Sequence, residues 1–173
     1  MLGHVIASHG LESGPNAAKV TALAAAATAL GWSCERPDFL ACDRAPGHGP
    51  LGDVDARIAQ LRALAGAAKG PLVLAGSSMG AFISARVSLE VPCAGLFLLA
   101  PPPALQGFAH RLEAAAVPTW IIHGWGDELI RAQNVVDWAR PRRDRLLLVD
   151  DDHRLSKHVA FCAQRFDEFL RAL

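Results

Sequence analysis

Leu72-Val73-Leu74-Ala75-Gly76-Ser77-Ser78-Met79-Gly80 is the stretch on which the reading of the whole chain turns. Four consecutive apolar residues run into Gly-x-Ser-x-Gly, and a helical pattern over Ser78–Leu89 begins at once. Such an apolar run reads as a strand covered on both faces, as in a parallel sheet. In a strand–turn–helix of this kind Ser78 takes a strained positive φ, with its hydroxyl pushed out above the carboxyl end of the strand. The chain then doubles back so tightly that side chains two positions to either side would collide, and Gly76 and Gly80 remove them. Ser77 cannot take that place, because Ala75 and Met79 stand at the two flanking positions. A chain of this composition holds roughly 0.06 such strings by chance, so the strand in front weighs more than the string itself. The bland alternative is a Gly/Ser turn that caps a helix.

The same alternation of short apolar runs and longer amphipathic ones extends in both directions. Strands are expected at Leu2–Ser8, Trp32–Pro37, Leu72–Ala75, Gly95–Ala100, Thr119–His123 and Arg145–Val149. Between them, Val20, Leu23, Ala24, Ala27 and Leu30 fall on one helical face, with Pro15 placed for a first turn and Gly31 for the stop. Val54, Ile58, Leu61, Ala65 and Ala68 form a second stripe, opened by Asp53 and closed by Gly70-Pro71. Further helices are expected at Arg131–Ala139 and Ser156–Leu170, with Ala41–Gly52 a plain loop. Strands alternating with helices imply right-handed crossovers and a three-layer α/β sandwich around a mostly parallel six-stranded sheet. At 173 residues the chain is expected to form one domain over 1–173.

Composition narrows the function classes. Seventeen basic side chains balance seventeen acidic ones, which argues against a nucleic-acid or anionic-membrane binder. The local basic cluster Arg140, Arg142, Arg143 and Arg145 reads as a solvated helix end. Val20–Trp32, the longest apolar run, is too short to span a bilayer, and Met1-Leu2-Gly3-His4 carries no sign of a signal peptide. Cys34, Cys42, Cys93 and Cys162 are scattered without C-x-x-C spacing and read as reduced residues of a cytoplasmic protein. No metal site, phosphate loop or dinucleotide fingerprint is visible, so no cofactor is expected.

A serine hydroxyl is inert without a general base, and the base needs an acid to hold its tautomer. Ile121-Ile122-His123-Gly124-Trp125-Gly126-Asp127 sets a carboxylate just past a buried strand, and Asp150-Asp151-Asp152-His153 sets an imidazole past the last one. All three groups fall at carboxyl ends of parallel strands, where open α/β sheets build their sites. Glu128, Asp150, Asp151 and Asp152 are rival carboxylates. The Asp150–Asp152 run reads as a solvated loop, with one member a back-up acid. Among the other histidines, His158 would lie within the last helix, while His9 and His123 end strands at the active edge.

With these motifs in place, nearly the whole chain resembles the α/β-hydrolase superfamily, from Ser8-His9-Gly10 through Gly76–Gly80 and His123-Gly124-x-x-Asp127 to His153. The resemblance implies Ser78 as nucleophile, Asp127 as acid and His153 as base, with His9 and His123 bracing loops. It implies an oxyanion hole from the backbone N–H groups of Met79 and Leu11, brought together by pairing of the first and third strands. Two departures stand out: the antiparallel strands that usually lead the family's sheet are missing, and only Pro101–Val117 occupies the place of the usual cap domain. A minimal member without a cap is expected to take small or exposed substrates, with Phe82, Leu105, Phe108 and Trp125 lining an acyl or alcohol pocket. The implied activity is cleavage of a small-molecule carboxylic ester or thioester through an acyl-enzyme. Acyl transfer through the same triad and a non-catalytic binding module are the alternatives. An open site leaves room for a second copy of the chain to act as the lid.

Overall fold

The computed structural model describes residues 2–173. Strands form at β1 (His4–Ser8), β2 (Ser33–Glu35), β3 (Leu72–Ser77), β4 (Gly95–Leu99), β5 (Thr119–Gly124) and β6 (Arg145–Val149). They make one sheet in the order β2-β1-β3-β4-β5-β6, and every pairing is parallel. The order reverses between β1 and β3, so the crevice outside their carboxyl ends is the place where a ligand site is expected.

The helices are α1 (Ala18–Ala29), α2 (Leu40–Asp43), α3 (Val54–Ala67), α4 (Met79–Ser88), α5 (Ala132–Arg142) and α6 (Val159–Ala172), the last led by a 3₁₀ turn at Ser156–His158. Alternate side chains of each strand feed two separate cores, because successive residues point to opposite faces. On one face Ile6, Leu74, Leu98 and Ile121 meet Ile58 and Leu61 of α3, Phe82 of α4 and Val135 of α5. On the other Val5, Val73, Phe97 and Ile122 meet Leu23 of α1 and Phe166 and Phe169 of α6. The rings of Phe97 and Phe166 lie 4.8 Å apart. These are the three layers that the apolar runs imply. Between β4 and β5, residues 100–118 form no helix; their one bridge joins Ala104 to Arg111. Among the described residues no helix is long and apolar enough to cross a membrane.

Several boundaries differ from expectation for identifiable reasons. Helix α1 starts at Ala18 rather than near Pro15, because Gly14 (φ 76°) turns the chain and its carbonyl accepts from the Ala17 N–H. The Ala41–Gly52 segment is not a plain loop: it opens with α2, whose Asp43 is buried. The basic cluster is not merely solvated. Arg142 donates to Asp144 and to the carbonyls of Ala114 and Ala115, and Arg145 lies 4.2 Å over the Trp120 ring.

Helix α4 is buried along almost its full length, and it can sit so deep because of two glycines. A Cβ on Gly76 would overlap the Gly80 carbonyl, and one on Gly80 would overlap the Ser8 carbonyl and stand 2.7 Å from that of His9. Gly66, inside α3, has open space where its Cβ would go. Alanine should therefore act oppositely at two helical glycines. Gly80→Ala is expected to destabilise by about 2–4 kcal/mol through backbone displacement. Gly66→Ala should stabilise by about 0.5–1 kcal/mol through helix propensity. Urea midpoints of the two variants check the pair.

Candidate active site

The segments that follow β3, β5 and β6 meet at the carboxyl edge of the sheet. Ser78 follows β3 with φ 53° and ψ −116°, a conformation rare for a residue with a side chain. It is pinned by its own N–H, which donates to the Leu99 carbonyl at 2.8 Å. His153 sits in the loop after β6, with Nε2 at 3.0 Å from Ser78 Oγ and Nδ1 at 2.7 Å from Asp127 Oδ2. Asp127 lies in the turn after β5 and is almost fully buried. Its Oδ1 accepts from the N–H groups of Leu129 and Ile130 at 2.9 and 2.8 Å. The carboxylate thus caps a turn with one oxygen and faces the imidazole with the other. A carboxylate oxygen facing Nδ1 favours the tautomer with its proton there, which leaves Nε2 to accept from the serine.

The loops carrying these groups are braced by the other strand-end histidines. His123 is fully buried, and its Nε2–H donates to the Ile130 carbonyl at 2.8 Å, closing the turn that bears Asp127. Burial pushes its pKa down, so the ring is neutral. His9 is likewise held below the usual imidazole range, first by burial and then by Arg57. Its Nε2 accepts from the Phe39 N–H at 3.0 Å, and its Nδ1 takes the Gly14 N–H at 3.2 Å and lies 2.6 Å from the Gly10 carbonyl.

The Asp150–Asp152 run departs from the expected solvated loop. Asp151 is buried and accepts from the N–H groups of Asp152 and Lys157 and from His158 Nδ1 at 2.9 Å. Burial alone raises its pKa; these donors outweigh that and lower it. His158 therefore does not sit idle within the last helix: it closes the 3₁₀ turn onto the loop of His153. Asp151 faces His158 rather than His153, and so has no place as a back-up acid.

Met79 and Leu11 both line the cleft beside Ser78. Met79 is the first residue of α4, where no carbonyl lies one turn back to receive its N–H. The Leu11 N–H donates to no protein group among the described residues. Gly10 packs against the serine: a Cβ built on it would stand 3.7 Å from Ser78 Cβ. A cleft of about 930 Å³ opens over Ser78 and His153. Its apolar walls include Met79, Leu105 and Ile130, and Lys19 and Arg154 stand at its side. Burial pushes the Lys19 ammonium pKa down, and its Nζ donates to the Arg154 carbonyl.

The expected pocket needs correction. Leu105 lines the cleft, but Phe82, Phe108 and Trp125 do not. Phe82 is fully buried because α4 turns that position into the core, where its ring meets Phe108 edge-on at 5.8 Å. Trp125 stands out of the β5 turn and is 62% exposed. Two residues that sequence reading missed are Asp43 and Arg57, both buried and joined beneath the His9–Glu12 loop. A signal was available: Arg57 falls on the apolar stripe of Val54, Ile58 and Leu61, where a cation survives only with a buried partner.

Since His9 and His123 are neutral when folded, their folded pKa values lie below the unfolded value of about 6.5. The unfolded chain then binds more protons, so stability is full above about pH 6.5 and is lost as the pH falls below it. Chemical denaturation between pH 7.5 and 5 should show this loss, and His123→Gln should make the slope shallower.

The comparisons agree with this architecture. The model of the alpha/beta hydrolase family matches residues 5–172. The crystal structure of an alpha/beta-superfamily protein from Xanthomonas campestris pv. campestris is 53% identical, covers 99% of both chains and superposes with a TM-score of 0.97. An a/b serine hydrolase without lid from the same species shares the fold at 23% identity, with a TM-score of 0.69 over 99% of this chain and 83% of that one. An esterase from Pyrococcus furiosus does so at 17% identity, with a TM-score of 0.80 over 98% and 81%. No curated protein matches the chain. The six-stranded parallel sheet, the Gly76–Gly80 turn and the match over residues 5–172 establish that the chain belongs to the alpha/beta hydrolase family.

Proposed function

We propose that the protein is a serine hydrolase that cleaves a small carboxylic ester or thioester through Ser78, His153 and Asp127. The observation that carries this reading is the unbroken line of hydrogen bonds from Ser78 Oγ through His153 to Asp127, at 3.0 and 2.7 Å. In this scheme His153 Nε2 takes the Ser78 proton as Oγ attacks the carbonyl carbon, and Asp127 stabilises the resulting imidazolium. The N–H groups of Met79 and Leu11 receive the developing oxyanion, assisted by the N-terminal dipole of α4. The imidazolium then hands its proton to the departing alkoxide or thiolate. Water, deprotonated by the same nitrogen, attacks the acyl-enzyme; Ser78 leaves as its proton returns, releasing a carboxylic acid.

The cleft bears on the substrate class. No helix covers it from the β4–β5 side, and Leu11, Met79, Leu105 and Ile130 give it apolar surface. Short acyl groups on exposed alcohols or thiols fit such a site, and water has free entry as acceptor.

A fluorophosphonate probe and a series of p-nitrophenyl esters and acyl thioesters of graded chain length test the reading. Stoichiometric labelling of Ser78 is expected in the wild type and in neither Ser78→Ala nor His153→Ala. Asp127→Asn should retain the fold yet lower kcat by about 10³–10⁴-fold, because the amide favours the wrong imidazole tautomer. Folded wild-type protein that takes no label and turns over no ester would mark a binding module instead.

A further inference from the structure

We infer that the buried Arg57–Asp43 pair is a positioning device for the oxyanion hole, acting through the Gly10–Leu11 peptide; this rests on the hydrolase reading above. Both side chains have no exposed surface, and Asp43 receives Nε and Nη2 of Arg57 at 2.5 and 2.6 Å. Two more of the guanidinium N–H groups go to the loop after β1. Arg57 Nη1 donates to the His9 carbonyl at 3.0 Å and Nη2 to the Gly10 carbonyl at 3.2 Å. His9 Nδ1 lies 2.6 Å from the same Gly10 carbonyl. On the far side of Leu11, the Glu12 N–H donates to Asp43 Oδ2 at 2.8 Å. The two residues before Leu11 and the one after it are therefore tied to a single buried ion pair.

The consequence follows from peptide geometry. The Gly10 carbonyl and the Leu11 N–H belong to one planar trans peptide group, in which they point in opposite directions. With the carbonyl aimed down at Arg57 and His9, the N–H must aim away from them, and it donates to no protein group among the described residues. Charged donors on the carbonyl also polarise the peptide, which strengthens its N–H toward a developing anion. Burying a guanidinium and a carboxylate together adds little to stability by itself, whereas fixing a donor before the reaction starts raises the rate. Arg57 touches no reacting atom; its effect passes through the backbone of Leu11.

The test compares p-nitrophenyl acetate with its thiono analogue, in which sulfur replaces the carbonyl oxygen and accepts hydrogen bonds poorly. A working oxyanion hole favours the oxygen ester; a damaged one loses that preference. In Arg57→Lys, which keeps the charge but cannot span Asp43 and both carbonyls, kcat for the oxygen ester should fall about 10²-fold while KM changes little. The preference for the oxygen ester should fall by a similar factor. Asp43→Asn, which keeps the shape and releases the Glu12 N–H, should shift both quantities the same way to a smaller extent, and it supplies the answer if Arg57→Lys does not fold. Folded variants that keep the wild-type preference, whether or not both rates drop together, overturn the positioning role. Wild-type protein that neither labels at Ser78 nor cleaves the oxygen ester overturns the hydrolase reading, and the positioning role falls with it.

Discussion

The architecture of the site depends on one close approach, that of the start of α4 to the end of β1. Gly80 lies with its backbone against the carbonyls of Ser8 and His9, and Gly76 lies against Gly80. Any side chain at either place would lift the helix off the sheet. With the helix seated, Ser78 is forced to φ 53°, a strain of order 1–3 kcal/mol that the Ser78 N–H bond to Leu99 and the buried helix absorb. The same seating sets the start of α4 beside the loop after β1, so Ser78, Met79 and Leu11 line one cleft. In the proposed mechanism, nucleophile and oxyanion hole are thus two results of one packing contact.

Around that contact, the buried carboxylates follow a single pattern. Among the described residues the buried acids are Asp43, Asp127 and Asp151, and each serves a different loop at the carboxyl edge of the sheet. Asp43 holds the loop of Leu11 through Arg57 and the Glu12 N–H. Asp127 holds its own turn and faces His153. Asp151 holds the loop of His153 through His158 and two backbone N–H groups. A buried carboxylate is costly unless its oxygens are filled by donors. Each of these is satisfied only when its loop has one particular shape, so the cost of burial becomes a penalty on every other loop conformation.

Much of this was legible in the sequence because apolar periodicity and the Gly-x-Ser-x-Gly turn are local signals. Strand identity and the layer order follow from where apolar runs end, and so does the placing of Ser78, Asp127 and His153 at carboxyl ends of strands; the choice of Asp127 and His153 over their rivals came from the family resemblance. What escaped the reading depends on contacts distant in sequence. Phe82 looks like a pocket residue four positions after Ser78, yet the depth of α4 turns it into the core. Asp43 looks like a loop residue until Arg57, fourteen positions on, is seen to need it. Asp151 looks solvated beside Asp150 and Asp152, and only the approach of the chain at Gly124 and Gly126 encloses it. Helix α5 runs on to Arg142 past the expected stop at Ala139, although it contains Pro141.

An open cleft imposes a further condition. Enzymes with closing lids can assemble their donors as the substrate binds and expel water at that moment. Here no helix lies between β4 and β5 to close over Ser78, so in the proposed mechanism an oxyanion donor left free to turn would be competed for by solvent. The alternative is to fix the donors in advance with interactions that water cannot reach. The Arg57–Asp43 pair, without exposed surface, meets that requirement for Leu11, and the first turn of α4, buried at Met79 and Gly80, meets it for Met79. Rigidity beneath the cleft takes the place of cover above it.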